Sequence, residues 1–182
     1  MHVIREPMPG VKLLALEPRR DPRGWFARAF CRRRLAELGV DLAVEQANMS
    51  ASERRRTLRG LHYQLDPSAE TKLVTCPSGA LHDVVLDLRP HSPTYRRHAA
   101  FELSAANGRM VVVPPGCAHG FLTLPEDALA FYFVSAAYAP ELERGVRWDD
   151  PAFAIPWPER PAIVSERDRS HPDFDPARHL AA

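Results

Sequence analysis

Hydrophobic residues in this chain occur in short runs that alternate with polar positions and are interrupted by turn residues. In the run 81–88, β-branched residues and an apolar–polar alternation near the end are typical of a half-buried strand. The same reasoning predicts strands over residues 11–16, 25–30, 57–65, 71–75, 80–88, 99–103, 110–113, 120–124 and 129–135.

Turn-forming sequences separate these predicted strands. Gly, Pro, Asn and Asp cluster at residues 21–24, 77–79, 107–108 and 114–116, and these residue types favour tight turns. The pair Asn107-Gly108 lies between two apolar runs, which predicts a β-hairpin. Residues 32–38 have a helical pattern that Gly39 is placed to end. Many short strands and 18 prolines indicate a mainly all-β fold with few short helices, a jelly roll, sandwich or barrel.

The pattern changes after Pro140. Residues 141–144 are predicted to form one helical turn, and the remaining tail is rich in loop-forming residues. The chain has 182 residues, which fits one domain large enough to bury a core, and neither a linker nor a repeat divides it. We expect a single domain over residues 1–182, with the tail from about residue 140 packed on the β core.

Composition and charge exclude several classes of protein. Hydrophobic residues make up 45% and charged residues 26% of the chain, which is typical of globular proteins. The net charge is +1, so we expect neither nucleic acid nor a membrane as a partner, and the arginine run at 54–56 is interpreted as a solvated loop. No segment resembles a signal peptide or a membrane span. Three widely spaced cysteines do not suggest a disulfide framework, and we expect a cytoplasmic protein.

The strongest chemical signal is the sequence Arg-Gly-Leu-His-Tyr-Gln at residues 59–64, followed by Lys72. Only two of the 24 basic residues are lysines, Lys12 and Lys72. A chain that uses arginine almost everywhere has kept a compact, titratable ammonium between strand-like residues. Arg59, His62 and Lys72 therefore predict a site for an anionic or enolising substrate.

A second motif follows Gly108 after five residues. The sequence Pro-Pro-Gly-Cys-Ala-His at residues 114–119 resembles the second motif of the cupin superfamily. In that fold the strand before the motif is buried and the Pro-Gly corner aims the histidine into the mouth of the barrel. His119 is therefore a candidate for the same site as His62.

Metal-binding cupins also carry a His-x-His pair in their first motif, and here Gln64 replaces the second histidine. One alternative keeps a metal: His62, His119 and Glu70 would hold Zn or Fe in a metal-dependent isomerase or oxygenase. Lys72 would place a positive charge near that cation. We therefore expect a site that uses protons, with no metal and no cofactor.

Together the two motifs resemble the dTDP-4-dehydrorhamnose 3,5-epimerase family, nucleotide-sugar enzymes with a cupin-type jelly roll. The resemblance covers nearly the whole chain, through the blocks at residues 21–24, 46–48, 58–64, 72–74, 83–89, 92–95, 114–121 and 148–151. It implies a metal-independent isomerase that epimerises a dTDP-4-keto-6-deoxyhexose at C3, C5 or both, in dTDP-rhamnose-type deoxysugar biosynthesis. It also implies a homodimer, in which the N-terminal region crosses to the neighbouring subunit.

The resemblance also implies roles for individual residues. His62 would be the base, oriented by Asp168, and Tyr132 would be the acid. Lys72 would stabilise the oxyanion at C4, and we expect its charge to lower the pKa of Tyr132. Such chemistry needs a base on one face, an acid on the other and positive charge at the enolate oxygen. The residues implied to bind the substrate are Arg23, Gln46, Asn48, Arg59, His119 and Glu143.

Three residues depart from the family pattern: Arg28 replaces a Glu, Ala47 an Asp, and Phe133 a Lys. Arg28 reverses a charge near the expected nucleotide pocket, which bears on carrier preference and on how many carbons are epimerised. A further alternative is a cupin that binds a sugar or nucleotide without chemistry. The other histidines are interpreted as structural, at His82, or as surface residues, at His2, His91, His98, His171 and His179.

Overall fold

The computed structural model describes residues 1–180, so the last two residues of the predicted 1–182 domain lie outside the described residues. Most of the elements are short strands. The strands are β1 (His2–Met8), β2 (Val11–Ala15), β3 (Arg19–Asp21), β4 (Gly24–Phe26), β5 (Gln46–Ser52), β6 (Thr57–Gln64), β7 (Lys72–Ser78), β8 (Ala80–Asp87), β9 (His98–Ser104), β10 (Arg109–Val113), β11 (Cys117–Thr123), β12 (Ala128–Val134), β13 (Glu143–Gly145) and β14 (Ile163–Val164). The helices are α1 (Arg32–Glu37), α2 (Glu166–Arg169) and α3 (Pro176–His179).

Two antiparallel sheets form the body of the protein. The first has the strand order β1-β2-β10-β7-β12-β5, and the second has the order β13-β6-β11-β8-β9, with β14 added in parallel to β6. From β5 to β12 the chain crosses repeatedly between the sheets, so most consecutive strands belong to different sheets. This confirms the prediction of a mainly all-β, cupin-type jelly roll. The pair β3–β4 stands apart as a two-stranded hairpin.

The sheets bury apolar side chains between them because alternate residues of each strand face inward. Complete burial of one such aliphatic or aromatic side chain contributes about 1.5–3 kcal/mol. The interior cluster includes Val74, Leu81, Val85, Phe101, Leu103, Val111 and Phe121. This core holds the two sheets together below the cavity described in the next subsection.

The outer faces of both sheets are covered as well. Leu35 of α1 and Leu42 pack on the first sheet. The C-terminal tail packs on the second sheet, through Trp148, Phe153 and Phe174 among others. The tail is therefore held against the strand that carries His62. None of the described helices is long and apolar enough to cross a membrane.

The turn at Asn107-Gly108 does not form the predicted hairpin. Strand β9 pairs with β8 in the second sheet, whereas β10 pairs with β2 and β7 in the first. The local chemistry is that of a tight turn, since Gly108 has a φ of 57° and the Asn107 side chain accepts hydrogen bonds from the backbone N–H groups of Ser104 and Arg109. The strands on either side of the turn belong to different sheets, so the turn connects the two sheets.

The predicted helical turn at residues 141–144 is also wrong in its second half. A turn covers residues 140–142, and β13 begins at Glu143. The reason is pairing: β6 offers a free edge, and Glu143 lies opposite Gln64 across it. This edge pairing carries Glu143 to the cavity between the sheets.

Candidate active site

Two adjoining cavities of about 440 and 410 Å³ open between the sheets. His62, Lys72 and Tyr132 line both of them. These residues come from β6, β7 and β12, so the two sheets contribute opposite walls. Three of the four predicted catalytic side chains therefore meet at the centre of one groove.

Strand alternation explains which side chains face this groove. On β5, Gln46, Asn48 and Ser50 line the cavities, and on β12 Tyr132 does so, with Asn48 as its cross-strand partner. Phe133, next along β12, packs instead on the outer face of the sheet. Tyr132 and Phe133 therefore occupy opposite faces of the strand, and Tyr132 is on the interior one.

His62 is held by a carboxylate from a distant part of the chain. Its Nε2 lies 2.7 Å from Oδ1 of Asp168, and Oδ2 of Asp168 accepts a hydrogen bond from the N–H of Gly60 at 3.1 Å. Burial alone would raise the pKa of Asp168, but the hydrogen bond and charge of His62, together with the Gly60 N–H, outweigh it and lower that pKa. The carboxylate is therefore ionised and fixes the orientation of the imidazole.

The path of the tail explains how Asp168 reaches His62 across 106 residues. Strand β14 pairs in parallel with the start of β6, and α2 follows immediately. The Ser165 side chain caps α2 by accepting a hydrogen bond from the N–H of Asp168 at 3.1 Å. Asp168 is consequently held by hydrogen bonds at both its backbone N–H and its carboxylate.

A second histidine–carboxylate pair lies beside the first. His119 on β11 is the direct cross-strand partner of His62, and it lines the larger cavity. Its Nε2 lies 2.7 Å from Oδ2 of Asp83, a fully buried residue of β8. Asp83 does not appear among the residues predicted from sequence. Its carboxylate sets the orientation of the His119 ring.

Lys72 is paired with a carboxylate in this structure. Its Nζ lies 3.1 Å from Glu70, and it donates to the backbone oxygen of His62 at 3.4 Å. Gln64 donates to the other oxygen of Glu70 at 3.0 Å. The ammonium is therefore held next to the strand that carries the histidine.

The expectation that Lys72 lowers the pKa of Tyr132 is wrong. Burial of the phenol is the largest influence and raises its pKa, and the charges of Glu70 and Glu143 raise it further against the opposing charge of Arg59. Glu70 pairs with the Lys72 ammonium, so its negative charge offsets the positive charge of the lysine at the phenol. Tyr132 is therefore protonated at neutral pH.

Glu143 closes one side of the smaller cavity. It accepts hydrogen bonds from Tyr138, at 2.5 Å, and from Arg167. Burial alone would raise its pKa, but these two hydrogen bonds outweigh burial and lower it. Glu143 is thus an ionised acceptor that faces the groove.

The two predicted arginines are placed differently. Arg59 lines the larger cavity, and its guanidinium donates to the backbone oxygen of Ala51 at 2.9 Å. Arg23 lies on the exposed β3–β4 hairpin, where it pairs with Asp21 at 2.7 Å. Within the described chain, Arg23 is therefore not brought to the groove with the other predicted residues.

Two histidines interpreted as surface residues are in fact packed. His179 is 3% exposed, and its backbone oxygen accepts a hydrogen bond from Tyr63. The ring of His171 lies 6.4 Å from that of His62, and burial, followed by the charge of His62, lowers the pKa of His171. Both residues lie in the aperiodic tail, where no hydrophobic pattern indicates which side chains are buried.

The metal-binding alternative does not find its ligands assembled. Within residues 1–180, the cluster with metal-ligand spacing consists of His62, Asp168 and His171, and it includes neither His119 nor Glu70. His62 and His119 each direct Nε2 to a different carboxylate. The predicted ligand set therefore does not share one centre.

The three departures from the family pattern lie away from His62. Ala47 and Phe133 are cross-strand partners, so a small residue faces a large one, and Phe133 packs against Phe30 with ring centroids 5.1 Å apart. Arg28 lines a separate cavity of about 410 Å³ together with Arg19 and other residues. None of these three residues lines either cavity of the groove.

The fold is a cupin-type jelly roll whose groove gathers His62, Lys72 and Tyr132. Comparison with known proteins makes this specific, because residues 5–176 match the family described as dTDP-4-dehydrorhamnose 3,5-epimerase. The chain belongs to that family.

Individual relatives agree with this assignment. The chain is 44% identical to a dTDP-4-dehydrorhamnose 3,5-epimerase of Sinorhizobium fredii, over 90% of this chain and 85% of that protein. It is 40% identical to a dTDP-4-dehydrorhamnose 3-epimerase of Streptomyces niveus, over 88% and 77%. A crystal structure of the Bacillus anthracis 3,5-epimerase with TDP and PPi bound is 40% identical, with a TM-score of 0.92, and covers 94% of this chain and 98% of that one.

Proposed function

We propose that this protein is an isomerase that epimerises a dTDP-linked 4-keto-6-deoxyhexose at C3, C5 or both, in dTDP-rhamnose-type deoxysugar biosynthesis. The observation that carries the proposal is the His62–Asp168 pair, with its nitrogen and oxygen 2.7 Å apart, in a groove that Tyr132 and Lys72 also line. Family membership supplies the substrate class. The groove supplies a base, an acid and a positive charge within one cavity.

The proposed reaction begins with proton removal by His62. The hydrogens at C3 and C5 are acidic because both carbons flank the C4 carbonyl. His62 takes one of these protons, the electron pair of the C–H bond moves toward C4, and the carbonyl oxygen becomes an enolate oxygen. Lys72 stabilises that oxygen, since a fixed cation in a partly dry cavity is effective where negative charge develops. Asp168 holds the imidazolium that forms.

Tyr132 then returns a proton to the opposite face of the same carbon. The enolate electrons form the new C–H bond, and the configuration at that carbon is inverted. Burial raises the pKa of Tyr132, so the phenol carries its proton when the enolate forms.

The remaining predicted residues bind the substrate in this proposal. Gln46, Asn48 and Glu143 line the smaller cavity. Their amide and carboxylate groups can form hydrogen bonds with the sugar hydroxyls and the nucleobase of the substrate. Arg59 and His119 line the larger cavity. A guanidinium at that position matches the geometry of a diphosphate.

Arg23 acts in a homodimer, where it would enter the groove of the second copy. It sits on a hairpin whose Trp25 and Phe26 side chains are 57% and 66% exposed. Exposed aromatic residues next to each other are typical of an interface. We propose that this dimer works in the cytoplasm.

Deuterium exchange tests the proposal directly. The protein is incubated in D2O with dTDP-4-keto-6-deoxyglucose, and the C3 and C5 positions are followed by NMR. We expect deuterium to enter at one or both carbons with inversion, and the product stereochemistry identifies which. A cupin that only binds sugar nucleotides leaves both hydrogens in place.

Metal removal tests the proton-only mechanism. Protein purified without a histidine tag and treated with a chelator is expected to keep its full turnover. Stoichiometric Fe, Mn or Zn, with activity lost on chelation and restored by the metal, would favour the metal-dependent alternative.

A further inference from the structure

His171 packs beside His62, with ring centroids 6.4 Å apart, and the proposed proton transfer does not use it. It follows α2, three residues beyond Asp168. Its Nε2 is buried and has no hydrogen-bond partner among residues 1–180. An unsatisfied buried polar atom is unfavourable, so a ligand that engages this nitrogen would be stabilising.

The position of His171 is fixed by the strand beside it. The imidazole lies against Gly145, where an added Cβ would overlap the ring. Gly145 is in turn the cross-strand partner of His62. The absence of a side chain at residue 145 therefore creates the space that places one imidazole next to the other.

We propose that His62, Asp168 and His171 form a binding site for a divalent transition-metal cation, with Zn²⁺ the best match, and that its occupation switches off the base. One ligand atom from each residue lies within 4.8 Å of the others, and Nε2 of His62 lies 2.7 Å from Oδ1 of Asp168. Donor atoms around tetrahedral zinc are roughly 3.4 Å apart, given metal–ligand bonds of about 2.1 Å. Small side-chain rotations would bring all three donors to that spacing.

The chemistry of the donors also fits zinc. Two imidazoles and one carboxylate form a ligand set found in zinc enzymes that leave a fourth position open. Here the fourth position would face the cavity lined by His62 and Asp168. The positive charges nearby are offset, because Lys72, Arg147 and Arg167 each form an ion pair with a carboxylate. They therefore repel a bound cation less than unpaired side chains would.

The inhibitory effect follows from the tautomer of His62 and rests on the proposed function. Nε2 of His62 faces Asp168, so Nδ1 is the nitrogen left to accept the substrate proton. A neutral imidazole bound to a metal through Nε2 carries its hydrogen on Nδ1. The lone pair that would take the C3 or C5 proton is then no longer available.

Direct binding is measured first, on the full chain without a tag and after chelation. We expect calorimetry to detect one Zn²⁺ site per chain, and Co²⁺ to give the absorption bands of a tetrahedral complex. His171→Leu removes one ligand and should weaken binding on the order of 100-fold. His91→Leu, at an exposed histidine, is the matched control and should bind as the parent protein does.

Inhibition is measured on the same variants. We expect Zn²⁺ to inhibit epimerisation by the parent protein and by His91→Leu, while His171→Leu keeps its basal turnover and loses the inhibition. His171→Cys retains a ligand, so it should still bind, and its Co²⁺ complex should gain sulfur charge-transfer absorption. That band reports on residue 171 even if the leucine variant folds poorly.

Several outcomes would overturn the inference. They are the absence of binding to the parent protein, equal binding by His171→Leu and the parent, and a Co²⁺–His171→Cys complex without the sulfur band; the last two would indicate an adventitious ion only. Failure of the proposed function is distinguishable, because a protein that binds Co²⁺ through residue 171 but leaves the substrate unchanged keeps the metal site and loses the epimerase assignment.

Discussion

Two histidine–carboxylate pairs lie next to each other in this protein and differ in their surroundings. The contact is the same in both, 2.7 Å from Nε2 to a carboxylate oxygen. The His62 side chain is 31% exposed, and its partner Asp168 comes from the C-terminal tail. The His119 side chain is only 8% exposed, and its partner Asp83 is fully buried in the second sheet.

This difference indicates that the same type of contact has a different role in each pair. His62 reaches both cavities, and Asp168 has a second anchor in the Gly60 N–H, so the ring can change protonation state without leaving its carboxylate unpaired. Asp83 depends on His119, since its other oxygen has no hydrogen-bond partner within residues 1–180. We infer that the first pair carries out chemistry and that the second maintains structure and the shape of the cavity.

Replacing His62 tests the chemical side of the comparison and has the largest expected effect. His62→Asn removes the base, which contributes about 10²–10⁴-fold to such reactions, so we expect turnover to fall by about 10³-fold. Deuterium exchange at both carbons should disappear, while the unfolding midpoint changes little. Retention of about a tenth of the parent turnover would contradict the assignment of His62 as the base.

Replacing His119 tests the structural side. His119→Ala leaves the buried Asp83 carboxylate without its partner, and we expect the free energy of unfolding to fall by about 3 kcal/mol. His62→Ala should cost much less, because its partner keeps the Gly60 hydrogen bond. Urea unfolding of both variants measures the difference. Equal losses would remove the distinction between the two pairs.

Replacing Tyr132 determines which group returns the proton. Tyr132→Phe is expected to allow proton exchange by His62 while product inversion falls about 100-fold, a typical contribution of an acid catalyst. Exchange and product stereochemistry are followed by NMR in the same sample. If inversion persists at the parent rate, the second proton comes from elsewhere in the groove, and His119, which lines the same cavity, becomes the candidate.

Sequence reasoning was most accurate where strands are buried on a regular face. The central strands were predicted within a few residues because burial imposes alternation on them. The missed strands β1, β3, β5, β13 and β14 each pair with only one other strand, at a sheet edge or in the separate hairpin. Their residues are mostly exposed or only partly buried, so no alternation marks them.

The same limit applies to the candidate site. His62, Lys72, His119 and Tyr132 lie on core strands or in specific motifs, and the structure brings them together. Asp83 and His171 were missed because their proximity depends on strand order and on the path of the tail. The prediction of a lowered pKa for Tyr132 is wrong for a related reason. Glu70, whose charge raises that pKa, is distant from Tyr132 in sequence and comes near it only through folding.

The smallest expected effect comes from Asp168, and it links the reactive pair to pH. Asp168→Asn keeps the shape but removes the charge that orients His62, so we expect kcat to fall roughly 10- to 100-fold. Folding lowers the pKa of Asp168 because its hydrogen bonds and the charge of His62 outweigh burial. A carboxyl of this kind stabilises the fold above its unfolded pKa of about 4, and the contribution is lost as pH falls through the folded value.

Unfolding measured in urea from neutral to acidic pH separates the two effects. At neutral pH the parent protein should be more stable than Asp168→Asn, and this difference should shrink as the pH falls below about 4. An unchanged difference across that range would mean that the carboxylate of Asp168 does not gain its stability from the contact with His62.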